Sequence, residues 1–204
     1  FTVSVTDGAG GSVEQVLTVT INGTNDAPTS SGAVTNSDAR EAGVDVSGVV
    51  DAVAATGGSD ALFANLTDVD DVIAAFSVAQ AKETTAGTLA SVSGTEAANG
   101  TSITGLYGTI KIGTDGSYSY VVDDTNNTVQ ALDETQTLDD SFTVMVSDGA
   151  GGSVEQVLVV TINGTNDAPI VVNNLIDQST NEDELFSYTV PLNTFNDFDG
   201  SDTL

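Results

Sequence analysis

The sequence predicts an all-β protein, a β-sandwich repeated in tandem array, and three observations carry the prediction. One block occurs twice almost unchanged: residues 1–28, FTVSVTDGAGGSVEQVLTVTINGTNDAP, return as residues 142–169, FTVMVSDGAGGSVEQVLVVTINGTNDAP. The offset of 142 − 1 = 141 residues marks the 204-residue chain as a window on an array of similar units. Segments rich in Val, Ile and Thr alternate polar and apolar residues with period two, as half-buried strands do. Turn signals separate about seven such segments, the density of a β-sandwich, and no stretch carries a capped helical stripe.

Taken in chain order, the first copy of the block reads as a hairpin, and a 141-residue unit follows it. Weaker strands are expected at Val44 to Val50, Ala74 to Ala79 and Thr88 to Val92. Gly, Ala, Ser and Thr dominate residues 51–62 and 84–105, which therefore read as surface insertions outside the core. A hairpin is expected from Gly108–Ile112 and Tyr118–Val122, where Asp115-Gly116 supplies the positive φ that such turns need. Phe142–Ser147 and Val154–Ile162 form the last hairpin, joined through Asp148 and a Gly-rich loop.

The two copies differ at Ser4/Met145, Thr6/Ser147 and Thr18/Val159 only. By strand parity these positions lie opposite Phe1, Val3, Val5, Val13, Leu17, Val19 and Ile21, on the more polar faces. Asn25-Asp26-Ala27-Pro28 and Asn166-Asp167-Ala168-Pro169 mark short, stiff boundaries, because proline denies the ladder a donor. The domains expected are the end of one unit (1–28), a complete unit (29–169) and the start of another (170–204).

Composition narrows the chemistry. Thirty acidic residues face three basic ones (Arg40, Lys82, Lys111), a formal net charge of −27 that repels nucleic acid and anionic lipid. With no cysteine and no histidine, disulfides, imidazole catalysis and ordinary structural zinc sites are excluded. Hard, oxygen-coordinated cations remain, Ca²⁺ first. No apolar run reaches the roughly 18 residues of a membrane span, so direct membrane insertion is not expected.

Acidic residues cluster at Asp68-Val69-Asp70-Asp71, Asp148, Asn166-Asp167 and Asp197-Phe198-Asp199. In an extended Asp-x-Asp both carboxylates face the same way and can share one ion, and Ca²⁺ takes six to eight such oxygens. Topology places Asp148 at the upstream end of its unit, where Asn25-Asp26 arrives. Adjacent carboxylates such as Asp70 and Asp71 also raise glycosidase chemistry, but no accompanying signal builds a cleft, and the chain does not read as an enzyme. Asp-Gly and Asn-Asp pairs are also ordinary turn formers, but the ligand reading is preferred for Asp68, Asp70 and Asp167.

Leu66-Thr67-Asp68-Val69-Asp70, Tyr107-Gly108-Thr109-Ile110, Asp115 to Tyr120, Val129 to Leu132, Phe142 to Gly149 and Ile162 to Pro169 together resemble a VCBS repeat of large bacterial RTX-type surface adhesins. Thr180 to Asp183, Phe186 to Pro191 and Phe195 to Gly200 resemble the opening of a dystroglycan-type cadherin-like domain. The resemblance implies a cadherin/immunoglobulin-like β-sandwich with Ca²⁺ bound between successive units. One junction would then gather Asn25, Asp26, Asp68, Asp70 and Asp148, and the other Glu41, Glu134, Asn166, Asp167, Asp197 and Asp199. Gly23 and Gly164 stand where the cadherin linker has its first Asp, and Ala27 and Ala168 where it has its last Asn.

The function so implied is a Ca²⁺-stabilised spacer in a secreted or cell-surface adhesin that serves cell adhesion and biofilm. Its partners are neighbouring repeats of the same chain, and a cell-surface glycan or protein engaged through other domains. The alternative is a carbohydrate- or ligand-binding module of a large exported protein, with residues 84–105, Tyr107 and Tyr118 as the contact surface.

Overall fold

Strands form where the alternation is strongest and stop where glycine, asparagine and proline interrupt it. The computed structural model describes residues 1–45 and 48–200. In order the strands are β1 (Thr2–Thr6), β2 (Ser12–Val16), β3 (Thr29–Ser30), β4 (Val34–Arg40), β5 (Gly43–Asp45), β6 (Gly48–Val50), β7 (Ala55–Gly57), β8 (Leu66–Thr67) and β9 (Ser77–Glu83). They continue as β10 (Ala90–Ser91), β11 (Thr101–Thr104), β12 (Gly108–Ile112), β13 (Tyr118–Val122), β14 (Thr137–Ser147), β15 (Ser153–Asn163), β16 (Ile170–Val171) and β17 (Phe195–Asn196). Helical structure among the described residues is limited to single 3₁₀ turns at Ala61–Phe63, Ile73–Ala75 and Ala97–Asn99. The chain is all-β, and among the described residues no helix is long and apolar enough to cross a membrane.

Two sheets dominate, one ordered β10-β9-β14-β15-β4 and the other β11-β12-β13-β7. Both are antiparallel except where β4 lies parallel to β15. Their buried rows form one hydrophobic cluster that includes Phe142, Val144, Val146, Leu158, Val160 and Ile162 from the first sheet and Ile110, Ile112, Tyr118 and Tyr120 from the second. The Tyr120 and Phe142 rings meet edge to face at 5.9 Å. Asp140 reinforces this contact from within the core, accepting the Tyr120 hydroxyl at 2.9 Å and the Leu106 and Tyr107 N–H groups at 3.1 and 3.0 Å.

The parity reading of the duplicated block holds. Phe142, Val144 and Val146 are buried, as are Leu158, Val160 and Ile162, whereas Met145, Ser147 and Val159 are half-buried on the opposite faces. Gln156 shares the buried row because its amide is satisfied at both ends: Oε1 accepts the Ser30 hydroxyl at 2.7 Å and Nε2 donates to the Gly32 carbonyl at 2.8 Å. β1 and β2 pair in the register of their twins, with Thr2↔Val16 and Val5↔Val13 matching Thr143↔Val157 and Val146↔Val154. Val3 and Val5, however, are exposed.

Several expected elements differ. Residues 51–62 and 84–105 are not mere insertions, since Ala55, Leu62, Val92 and Ile103 all enter the core. Their small-residue composition hides isolated anchors, and β7 and β11 complete the four-stranded sheet. Ile73–Ala75 is a 3₁₀ turn, so the strand expected from Ala74 starts at Ser77 and runs to Glu83. The strand expected at Thr88 to Val92 shortens to Ala90–Ser91. Val44 to Val50 is a hairpin of β5 and β6, with residues 46–47 outside the described set.

Candidate metal centres at the two junctions

At the upstream junction the local sequence folds into a turn instead of an extended Asp-x-Asp. Asp68 Oδ1 accepts the N–H groups of Asp70 and Asp71 at 2.8 and 3.1 Å. That turn swings Asp71, three residues on, toward Asp68, and directs Asp70 elsewhere. Asp70 Oδ2 accepts the Asp26 N–H at 2.8 Å.

Asp148 completes the group from the β14–β15 loop. Its Oδ1 accepts N–H from Ala150, Gly151 and Gly152 at 2.8, 3.0 and 2.9 Å, and its Oδ2 accepts Asn25 Nδ2 at 2.9 Å. One carboxylate oxygen each from Asp68, Asp71 and Asp148 lies within 4.8 Å of the others, so this cluster could hold a metal ion. The five residues expected here, Asn25, Asp26, Asp68, Asp70 and Asp148, are thus drawn into one network, and Asp71 takes the place in the carboxylate group that the sequence suggested for Asp70. Its sequence signal was membership of the acidic run Asp68-Val69-Asp70-Asp71.

The downstream junction repeats part of this geometry. Asp199 Oδ2 accepts the Asp167 N–H at 2.8 Å, as Asp70 does for Asp26, and Asp197 Oδ1 accepts the Asp199 N–H at 3.1 Å, as Asp68 does for Asp70. Asn166 Nδ2 bonds the Asp167 carbonyl at 3.0 Å, and Asn25 Nδ2 the Asp26 carbonyl at 2.8 Å. A further contact crosses the junction from Gly200 N to the Ala131 carbonyl, 3.3 Å.

Here Glu41 joins the group. Glu41 is fully buried, its Oε1 accepting Thr165 N at 3.0 Å and its Oε2 accepting Gln130 Nε2 at 3.3 Å. Burial, aided by Asp167, Asp199 and Asp124, pushes its carboxyl up to about 8 against the opposing Thr165 hydrogen bond. Burial and then Asp199, Asp197 and Asp124 also raise Asp167.

Asp124 has no sequence motif that announces it, and it is fixed by accepting the Ala42 N–H at 3.1 Å. Glu134 is exposed, and the carboxylates that act on Glu41 are Asp167, Asp199 and Asp124. Gly164 has a steric reason to be glycine: a Cβ there would lie 2.2 Å from the Asp133 carbonyl oxygen and 2.7 Å from Leu132 Cβ.

Both junctions hold raised carboxylates, and Asp148 is the exception. The Asn25 amide, followed by the loop N–H groups, holds Asp148 below the usual carboxylate range against its burial. Asp71, beside it, is raised by burial and then by Asp68, Asp148 and Asp70. Every charged neighbour acting on Glu41, Asp71 and Asp167 is another carboxylate. Asp68 Oδ2, Asp71 Oδ2 and Asp167 Oδ2 are buried without a hydrogen-bond donor. An all-oxygen donor set with buried, unbonded carboxylate oxygens suits a hard divalent cation.

Of the contact surface of the alternative reading, Tyr118 lies in the core, its hydroxyl accepting Asn36 Nδ2 at 3.0 Å, and Tyr107 is half-buried. Comparison with protein-family models finds none that matches the chain, and comparison with curated proteins finds no match either.

Proposed function

We propose that this chain is a Ca²⁺-stiffened spacer: a run of cadherin-like β-sandwich units, in tandem, from a secreted or cell-surface bacterial adhesin of the VCBS type. The observation that carries the reading is the recurrence at both junctions of the same bond, from the linker Asp N–H to the second carboxylate of an Asp-x-Asp. The surrounding carboxylates supply the reason for a cation. Without one, neighbouring negative charges repel or take up protons. With one, oxygens from the unit, the linker and the next unit share a single positive centre.

Overlaying the two halves through their common linker bond gives the complete junction. The upstream unit supplies a buried Glu of the Glu41 kind with its Asp124, the linker supplies Asn-Asp, and the downstream unit supplies the acids equivalent to Asp68, Asp70, Asp71 and Asp148. Asp68, Asp71 and Asp148, whose oxygens already lie within 4.8 Å of one another, would hold one ion, and Glu41, Asp167 and Asp199 would have to draw closer together to hold another. Ca²⁺ at such sites supplies only positive charge and coordination, and the units themselves set the angle between neighbours.

The test is a Ca²⁺ titration of EDTA-treated protein, followed by melting temperature and small-angle scattering. At about 100-fold above the dissociation constant, linkage adds about 2.7 kcal/mol per site. The scattering curve should sharpen toward an extended, rigid particle. No change in either readout at millimolar Ca²⁺ would refute the proposal. Asp68→Ala with Asp71→Ala separates a clamp from a spacer that needs no ion, since only the clamp loses Ca²⁺ response at the upstream junction.

A further inference from the structure

The outgoing linker does not leave the unit freely. β4 runs parallel to β15 as far as Ala39↔Ile162 and Arg40↔Asn163, and the pairing continues past both strand ends. Glu41 N donates to the Asn163 carbonyl at 3.2 Å, Thr165 Oγ1 to the Glu41 carbonyl at 3.3 Å, and Val44 N to the Asn166 carbonyl at 2.8 Å. Asn166 Nδ2 returns a bond to the Val44 carbonyl at 2.9 Å. From the other side, Gly164 N donates to the Gln136 carbonyl at 3.0 Å.

Gly43 makes a close approach on the β4 side of this rail. A Cβ there would lie 2.8 Å from the Asn166 carbonyl oxygen, 2.8 Å from Thr165 Cγ2 and 3.1 Å from Thr165 Cβ. Two of those atoms belong to a threonine held by Glu41 on both its N–H and its hydroxyl, and the third is backbone. Neither can swing away as the tip of a flexible side chain would.

We propose that Gly43 is a positioning residue for the downstream junction. With Gly164 opposite, it lets residues 41–44 and 132–136 close on the linker, so that Asn166 and Asp167 reach the next unit in one orientation before any cation binds. The cation then fixes only the last step, from Asp167 to the Asp-x-Asp of the following unit. This inference rests on the spacer reading for its purpose, but its geometry does not depend on Ca²⁺.

The experiment uses the full chain, which has no cysteine of its own. Spin labels go on cysteines at Thr109 and Leu192, both exposed and on opposite sides of the junction, and pulsed electron resonance reads the distance distribution in EDTA and in Ca²⁺. Wild type should give a narrow distribution already in EDTA. Gly43→Ala should lose the narrow component there, while a control pair at Ser12 and Thr109, spanning the upstream junction, stays unchanged.

Asn166→Ala, which deletes the bond to the Val44 carbonyl on the rail and the one to the Asp167 carbonyl without adding bulk, should broaden the EDTA distribution partially and guards against a Gly43 variant that fails to fold. A broad wild-type distribution in EDTA, or wild-type widths in both variants, would overturn the positioning role. If Gly43→Ala broadens the distribution but Ca²⁺ alters neither junction in wild type, the positioning role stands and the calcium reading falls.

Discussion

The two junctions use one linker bond but hold their negative charge by different means. Upstream, Asp148 is stitched into its own loop by three backbone N–H groups and the Asn25 amide, and its carboxyl is held low. Downstream, Glu41 and Asp167 are held mainly by burial among other carboxylates, and both are pushed up. A carboxylate kept charged by hydrogen bonds stabilises the fold whether or not an ion is present. One kept by burial strains the fold until an ion or a proton arrives.

The largest expected effect follows from this contrast. Asp148→Ala removes the partner of four donors, so in EDTA it should lower the melting temperature by about 5–10 °C. Asp167→Ala should leave the EDTA melting temperature unchanged or slightly raised, because its buried Oδ2 has no donor to lose. Both variants should forfeit the Ca²⁺ gain at their own junction. Equal losses in EDTA would erase the distinction between the two.

A smaller effect lies in pH. The folded value for Glu41, about 8, exceeds its ordinary 4.5, so between these values the folded chain keeps a proton that the unfolded chain has released. Stability in EDTA should therefore fall as pH rises through that window and level off above it. Asp148 works in the opposite sense: its contribution is complete at neutral pH and is lost on acidification below its ordinary 3.8. Glu41→Gln should flatten most of the alkaline decline and raise the melting temperature at pH 8 by on the order of 5 °C. The slope that remains belongs to Asp167 and Asp71. Melting curves at stepped pH in EDTA decide it, and an unchanged slope in Glu41→Gln would remove Glu41 from the account.

How far the sequence reached can be judged residue by residue. Period-two alternation located β12, β13, β14 and β15 and even the buried parity of Leu158, Val160 and Ile162, because a strand with one core face must repeat every second residue. It failed at Val92 and Ile103, single anchors among small residues with no period to detect. At the upstream junction, composition pointed to the right segment but not to the right pair. Whether Asp68 faces Asp70 or Asp71 depends on a turn made by the Asp68 carboxylate itself, and a rule for extended chain cannot foresee it. Asp124 was invisible for another reason, since it meets Glu41 and Asp167 only through tertiary packing, on a loop with no pattern of its own.

The smallest effects sharpen the downstream side. Resemblance to cadherin-like linkers suggested Glu134 as a second glutamate ligand, whereas the carboxylates facing Glu41 are Asp167, Asp199 and Asp124. Glu134 is exposed, so Glu134→Ala should change stability by no more than about 0.5 kcal/mol and leave the Ca²⁺ titration where it was. Asp124→Ala removes both a negative neighbour and the acceptor of the Ala42 N–H, on the segment that guides the linker. By analogy with outer-sphere groups of metal sites, it should weaken Ca²⁺ binding at the downstream junction about 10-fold while sparing the upstream one. Terbium luminescence, or calorimetry with Asp68→Ala and Asp71→Ala as background to silence the upstream cluster, would resolve the two. If Glu134→Ala proved the weaker binder, the second acid would belong where the cadherin pattern puts it, and the role given to Asp124 would be wrong.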